Sequence, residues 1–207
     1  MMMLFNSAPW LALAALYLWA MAAPAQAPAI LVVGDSLSAA YGIDVDQGWV
    51  AKLQQRITAA GHSYRVVNAS ISGETTGGAL SRLAKLLTQH TPAIVIIELG
   101  ANDGLRGLAL EHLRQNLAAI IETSRAHDAK VLLIPMRLPE NYGFVFTRRF
   151  RAMYEDLAKE YALPASPFIL QGFAENPRFM QEDGIHPKRE AQALMLDNIW
   201  PSLQPLL

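Results

Sequence analysis

The chain has 207 residues, of which 52% are hydrophobic and 17% are charged, and its formal net charge is −1. This length suits one domain with a sizeable core, and the composition excludes an intrinsically disordered chain. A charge this close to neutral lacks the basic footprint of a nucleic-acid-binding protein, and the absence of cysteine excludes both disulfides and lipid attachment through cysteine.

The first 27 residues have the pattern of a secretory signal peptide. The apolar run Leu11 to Ala23 is broken by Pro24 and followed by the small-x-small sequence Ala25-Gln26-Ala27. The run is too short to cross a bilayer as a helix. We therefore predict cleavage after Ala27, a periplasmic or secreted protein without stable membrane insertion, and one domain over 28–207. Because residues 1–10 contain no Lys or Arg, an uncleaved membrane anchor is the alternative.

From residue 28 onward, short apolar segments alternate with amphipathic ones, which predicts a parallel sheet covered by helices on both faces. Five strands are predicted, at 29–34, 64–70, 94–99, 130–136 and 165–168. The third is the clearest because Ile94 to Ile97 are all apolar and β-branched, whereas the fifth is short.

Apolar residues at helical spacing predict five helices between and after these strands. Their apolar faces span 49–57, 79–87, 113–121, 150–161 and 191–199. Gly61 is expected to end the first helix, and Pro201 to stop the last. Right-handed crossovers then bring the carboxyl ends of all the strands to one edge of the sheet.

The first strand leads directly into Gly34-Asp35-Ser36-Leu37-Ser38. A serine at the carboxyl end of a buried strand lies where an open α/β sheet exposes side chains to ligand, so Ser36 is a candidate nucleophile. Gly-Asp-Ser is also ordinary turn chemistry, so this motif alone leaves both interpretations open.

Two further polar segments follow the second and third strands. Gly73 could direct a backbone N–H at a developing oxyanion, or it could be the positive-φ residue of a turn. Asn102 has an amide donor suited to an oxyanion hole, although the neighbouring Asp103-Gly104 pair is typical of a loop.

The late segment Asp183-Gly184-Ile185-His186-Pro187 is more specific. A carboxylate three residues before a histidine can accept a hydrogen bond from its Nδ1–H, which leaves Nε2 free to take a proton from serine. Pro187 favours extended backbone at His186. The alternative is a helix-capping loop in which Asp183 bonds only backbone.

Neither a metal nor a cofactor is expected. Cysteine is absent, and no pair among the other histidines has metal-ligand spacing; these are His62, His90, His112 and His127.

These four segments occur in the order found in a known family, and the chain resembles the G-D-S-L lipases and esterases, more narrowly the SGNH hydrolases. The matching blocks are Gly-Asp-Ser-Leu-Ser with Ser36, Ser-Gly-Glu-Thr with Gly73, Gly-Ala-Asn-Asp with Asn102, and Asp-Gly-Ile-His-Pro with Asp183 and His186. Residues 29–207 are similar to bacterial periplasmic multifunctional esterases with arylesterase, acyl-CoA thioesterase or lysophospholipase activity.

The resemblance implies a three-layer, flavodoxin-like α/β fold with a five-stranded parallel sheet. It makes Ser36 the nucleophile, His186 the general acid/base and Asp183 its orienting carboxylate. The implied oxyanion hole consists of the backbone N–H groups of Ser36 and Gly73 and the side chain of Asn102. The expected protein is a monomeric serine hydrolase that cleaves aryl esters, acyl-CoA-type thioesters and lysophospholipids through an acyl-serine.

Apolar residues near the proposed site predict a shallow groove for an acyl chain or aromatic ring. They follow Asn102 or the fourth strand, and they are Leu105, Leu108, Leu138, Tyr142 and Phe144. Packing of these residues in the core is the alternative to the groove. A carbohydrate O-acetyl esterase and a non-catalytic periplasmic binding protein are the alternatives for function.

Overall fold

The computed structural model describes residues 27–207, so residues 1–26 of the predicted signal peptide lie outside the described part of the chain. The described residues form a parallel sheet in the order β2-β1-β3-β4. The strands are β1 (Ala29–Gly34), β2 (Arg65–Asn68), β3 (Pro92–Glu98) and β4 (Lys130–Leu133).

Burial of β1 explains its composition. This strand lies between β2 and β3, and all six of its residues are buried. A strand covered on both faces reads as a continuous apolar run, which is the pattern of Ile30 to Val33. The strand ends at Gly34, so the next residues begin at the carboxyl edge in the middle of the sheet.

The predicted fifth strand at 165–168 is wrong, since these residues have irregular structure and the described sheet has four strands. Pro164 and Pro167 lack the backbone N–H that a sheet ladder needs. The carbonyl of Ala165 instead accepts a hydrogen bond from the Ser202 hydroxyl at 2.8 Å. The segment is therefore attached to the last helix and not to β4.

Six α-helices accompany the sheet: α1 (Trp49–Ala59), α2 (Thr76–His90), α3 (Ala101–Leu105), α4 (Leu110–Ala126), α5 (Phe144–Glu160) and α6 (Gln192–Leu203). The five predicted apolar faces lie on α1, α2, α4, α5 and α6. The short α3 was expected as a loop, and it places Asn102 in a helical first turn.

The prediction that Pro201 stops α6 is also wrong, because the helix continues to Leu203. A proline in the last turn deprives only one carbonyl of its partner. Buried Ser202 and Leu203 hold this turn against the rest of the protein.

One hydrophobic cluster connects the sheet with the helices on its faces. It contains fully buried residues such as Trp49, Leu83, Leu117 and Ile199, each from a different helix. Within residues 27–207, no helix is both long enough and apolar enough to cross a membrane. The connections that leave the carboxyl ends of β1, β2 and β3 carry three of the four segments that the sequence singled out, and the fourth, at 183–187, lies between α5 and α6.

Candidate active site

Ser36, His186 and Asp183 form one hydrogen-bonded row. His186 Nε2 lies 2.9 Å from Ser36 Oγ, and His186 Nδ1 lies 2.6 Å from Asp183 Oδ2. The serine and the histidine are 150 positions apart in the chain. The row has the geometry of a serine hydrolase triad, in which a carboxylate orients a histidine base beside a serine.

The loop that carries His186 is fixed by its own backbone. The Gln181 N–H donates to the His186 carbonyl at 2.7 Å, and Met180 and Pro187 form an antiparallel bridge. Asp183 Oδ1 accepts the backbone N–H groups of Ile185 and His186, at 2.9 and 3.0 Å. The aspartate therefore shapes the loop as well as orienting the imidazole.

These contacts keep Asp183 ionised. Partial burial by itself raises the pKa of this carboxyl, but hydrogen bonds from the backbone and the ring of His186 and from the backbone of Ile185 lower it to about 2. The carboxylate is present at neutral pH. It can hold Nδ1 protonated and stabilise the imidazolium that forms when His186 accepts a proton.

The Tyr41 ring packs in a tilted stack against the imidazole of His186, and no sequence motif singles it out. The rings of Tyr41 and His186 have centroids 4.3 Å apart at an interplanar angle of 36°. The carbonyl of Tyr41 accepts a hydrogen bond from Gln181 Nε2 at 2.8 Å, which ties the Ser36 turn to the histidine loop. The only sequence feature that could have pointed to Tyr41 is its position five residues after Ser36.

Each proposed oxyanion donor keeps an N–H hydrogen that no acceptor within residues 27–207 occupies. Asn102 Nδ2 donates one hydrogen to Asp35 Oδ2 at 3.0 Å, and the other amide hydrogen is left for a ligand. Within residues 27–207, the backbone N–H groups of Ser36 and Gly73 have no protein acceptor. Gly73 has φ of +77°, which L side chains rarely adopt, and its carbonyl accepts Arg106 at 2.9 Å.

A pair of buried carboxyl groups lies beneath the nucleophile. Glu98, the last residue of β3, accepts the Ser38 hydroxyl at 2.6 Å and the Asp35 N–H at 3.3 Å, both on Oε2. Asp35 Oδ1 accepts the Leu37 N–H at 3.0 Å. The side chains on both sides of Ser36 are thus attached to neighbouring elements, which fixes the backbone that carries Oγ.

Burial decides the ionisation of this pair. Burial raises the pKa of Glu98 well above its usual value, and the nearby Asp35 charge raises it further. Burial also raises the pKa of Asp35 to about 6, against the lowering effect of the Leu37 N–H, His186 and Asn102. Two carboxylates in one dry site repel each other, so Glu98 keeps its proton and Asp35 carries the negative charge.

Asp103 and Tyr154 position the Asn102 segment. Asp103 is 2% exposed and accepts both the N–H and the hydroxyl of Thr76, at 2.9 and 2.6 Å. The fully buried Tyr154 donates its hydroxyl to the Leu99 carbonyl at 2.8 Å. The Asp103-Gly104 pair is typical of a loop in the sequence, and no motif there singles out Glu98 or Tyr154. A carboxylate ending the apolar run of β3 was the available signal for Glu98.

The residues predicted to form the groove differ in how far their side chains are exposed. Leu138 is mostly buried against the core, where a Cβ added to Gly104 would lie 2.7 Å from its Cδ1, and its place in a groove stays a prediction. Leu105 is half-buried against the core, whereas Leu108, Tyr142 and Phe144 are exposed near the carboxyl edge. Within residues 27–207 there is no group of three or more histidines and carboxylates that could hold a metal ion.

Known proteins are similar to this chain over most of its length. Residues 32–194 match the model of the GDSL-like lipase/acylhydrolase family. The chain is 51% identical to the esterase TesA of Pseudomonas aeruginosa over 183 residues, which cover 88% of this chain and 91% of that protein. It is 43% identical to the thioesterase 1/protease 1/lysophospholipase L1 of Escherichia coli strain K12, over 88% of this chain and 86% of that protein.

A crystal structure of TesA has the same fold. It is 50% identical to this chain and superposes with a TM-score of 0.83, over 86% of this chain and 99% of the other. With the family match, this agreement in sequence and fold shows that the chain belongs to the GDSL-like lipase/acylhydrolase family.

Proposed function

We propose that this protein hydrolyses carboxylic esters and thioesters through an acyl-serine formed on Ser36. The observation that carries the proposal is the unbroken row from Asp183 through His186 to Ser36 Oγ, with contacts of 2.6 and 2.9 Å. The esterase and thioesterase names of the relatives support the same chemistry.

In the first half-reaction, His186 Nε2 takes the proton of Ser36 Oγ as this oxygen attacks the acyl carbonyl. The oxyanion is stabilised by the N–H groups of Ser36 and Gly73 and by the free amide hydrogen of Asn102. The imidazolium, held by Asp183, gives its proton to the departing alcohol or thiol. Water, activated by the same imidazole, then releases the acid and restores the serine.

The buried carboxyls support the oxyanion hole indirectly. The anionic Asp35 accepts one amide hydrogen of Asn102, and this contact sets the direction of the other. Glu98 holds the Asp35 backbone and Ser38, so the Ser36 N–H is fixed from both sides. Donors aligned before substrate arrives need no reorganisation as charge develops.

The rim beside Asn102 supports acyl esters, thioesters and aryl esters as substrates. Leu105, Leu108 and Tyr142 come together there, since the Tyr142 hydroxyl donates to the Leu105 carbonyl at 3.3 Å. An open apolar rim accepts acyl chains of several lengths with modest selectivity. Lysophospholipids are included as substrates because the name of one relative includes lysophospholipase.

Hydrolysis of substrates with acyl chains of increasing length, measured for wild type and Ser36→Ala, tests the proposal. We expect wild type to hydrolyse p-nitrophenyl esters and acyl-CoA thioesters, with octanoyl groups accepted at least as well as acetyl. Ser36→Ala should lose nearly all turnover and keep its unfolding midpoint. Activity within about tenfold of wild type in Ser36→Ala would refute the mechanism. A strong preference for acetyl would favour carbohydrate O-acetyl esters.

The proposal includes export of a monomeric domain of residues 28–207 after cleavage behind Ala27. The apolar run Leu11 to Ala23 and the small residues after it support this processing. Sequencing the amino terminus of protein from the periplasmic fraction tests it. A mature protein that begins at Met1 would overturn it.

A further inference from the structure

The exposed large hydrophobic side chains of residues 27–207 all lie at one end of the molecule. They belong to the connections after the strands, the first turn of α5 and the loop of His186. Phe144, Val45 and Val145 are the most exposed, at 74%, 68% and 61%. Apolar side chains gathered at one end indicate contact with an apolar partner.

The charges at this end are divided between two halves. On the β4 side, segments 105–109 and 137–149 contain four arginines and one carboxylate. On the side of Ser36 and His186, segments 41–47 and 181–190 contain five carboxylates and two basic residues, Lys188 and Arg189, which line one cavity with Asp44 and Gln181. Val45 is itself flanked by Asp44 and Asp46. The apolar residues of the β4 side are therefore the ones accompanied by net positive charge.

The start of α5 carries much of this surface. Its first turn has no acidic residue, Gly143 provides no side-chain cap, and Arg148 and Arg149 follow within two turns. Within residues 27–207, neither Arg148 nor Arg149 forms an ion pair, so pairing within the fold does not account for them. Arg148 lies 5.4 Å over the ring of Phe144. We call Leu108, Tyr142, Phe144, Val145, Arg148 and Arg149 the apolar–basic corner.

We propose that the apolar–basic corner docks this protein on an anionic phospholipid surface, with the opening of the Ser36 site beside the lipid. Exposed aromatic and aliphatic side chains suit the boundary between headgroups and acyl chains, and arginines suit lipid phosphates. The acidic residues around Asp44 and Glu182 are repelled by the same surface and turn toward water, which leaves the Ser36 site at the edge of the contact, between them and the apolar–basic corner. Docking is independent of hydrolysis, and it would deliver membrane-derived substrates to the proposed esterase.

Vesicle sedimentation tests the docking with protein that begins at Pro28. This part contains the whole core, and a solved relative matches it over 99% of its own length. We expect binding to vesicles of phosphatidylglycerol and phosphatidylcholine in equal parts, weakening with added salt, and far weaker binding to phosphatidylcholine alone. The double variant Arg148→Gln/Arg149→Gln should lower the partition coefficient on the order of 30-fold, since each cation contributes about a fivefold factor.

Matched controls separate the corner from general surface effects. Arg178→Gln/Arg189→Gln removes two exposed arginines elsewhere and should bind as wild type. Val145→Ser should weaken binding on the order of tenfold, whereas Val45→Ser should not. Hydrolysis of p-nitrophenyl acetate should stay at the wild-type rate in the arginine variants. Ser36→Ala should bind vesicles as wild type does. Docking can therefore be measured even if the esterase proposal fails.

Three results would overturn the docking proposal. The first is absence of binding to the anionic vesicles at low salt. The second is equal loss of binding in the Arg148/Arg149 variant and its Arg178/Arg189 control. The third is a concentration-dependent dimer that Val145→Ser dissociates, which would make the corner an interface between copies of this chain.

Discussion

Replacing Glu98 by glutamine tests whether this carboxyl is neutral in the folded protein. A glutamine carbonyl can accept the two bonds that Glu98 Oε2 now accepts, from the Ser38 hydroxyl at 2.6 Å and the Asp35 N–H at 3.3 Å. If the glutamate is protonated, glutamine is its neutral isostere. Because Glu98 Oε1 is buried without a partner, the glutamine amide adds an unpaired N–H there, and we expect Glu98→Gln to lower the free energy of unfolding at pH 5 by about 1–3 kcal/mol.

Alanine at the same position should behave differently. Glu98→Ala leaves the Ser38 hydroxyl and the Asp35 N–H buried without a partner, at about 1–3 kcal/mol each, and adds a cavity. We expect a loss of about 2–6 kcal/mol from the two donors alone. The contrast between the two variants measures the hydrogen bonds separately from the charge.

The pH dependence gives the sharper test. Because burial raises the pKa of Glu98, the folded state keeps a proton that the unfolded state releases above the ordinary glutamate pKa. The folded state then binds more protons, so stability falls as pH rises, by at most about 1.4 kcal/mol per pH unit for this group. Glu98→Gln removes this contribution, so its free energy of unfolding should increase relative to that of wild type as pH rises. The exposed control Glu175→Gln should show no such increase.

Urea unfolding of wild type and the three variants between about pH 5 and 7 tests whether Glu98 is protonated in the folded protein. Asp35, whose pKa burial raises to about 6, also contributes falling stability, and because its hydrogen bond with the Glu98 side chain lowers that pKa, only wild type and Glu175→Gln share the same Asp35 contribution. Parallel curves for wild type and Glu98→Gln would refute the assignment of a retained proton to Glu98. A loss above about 3 kcal/mol in Glu98→Gln at pH 5 would refute the neutral isostere.

Three further substitutions test the site. Asn102→Ala removes one oxyanion donor and should lower kcat on the order of 10²–10³-fold with little change in KM; an effect on KM alone would contradict this role. Asp183→Asn should lower kcat on the order of 10⁴-fold, because the amide holds the wrong imidazole tautomer. Since the pKa of Asp183 is about 2, a wild-type acid limb above about pH 4 must report another group. Tyr154→Phe should cost about 1–3 kcal/mol in urea unfolding by leaving the Leu99 carbonyl unpaired, and unchanged stability would show that this carbonyl finds another donor.

The sequence predicted most elements correctly, and its errors have identifiable causes. The run Ile94 to Ile97 and the helical stripes are local patterns, and the structure confirms β3 and the five amphipathic helices. The apolar residues at 165–168 suggested a strand, but Pro164 and Pro167 lack the backbone N–H that a sheet ladder needs. The Ala165 carbonyl accepts the Ser202 hydroxyl instead. Pro201 suggested a helix end, yet tertiary packing of Ser202 and Leu203 maintains the final turn.

By itself, the sequence determined the alternation of strands and helices, the four ordered motifs and the residue types suited to acyl transfer. These follow from local periodicity and from the chemistry of individual side chains. Tertiary structure alone decided that Ser36 and His186 lie 2.9 Å apart across 150 positions, that Tyr41 stacks on the imidazole, and that Glu98 shares a dry site with Asp35. It also buried Leu138 and left Val145 exposed. Contacts and burial depend on how distant segments meet in space, which the spacing of residues along one segment does not contain.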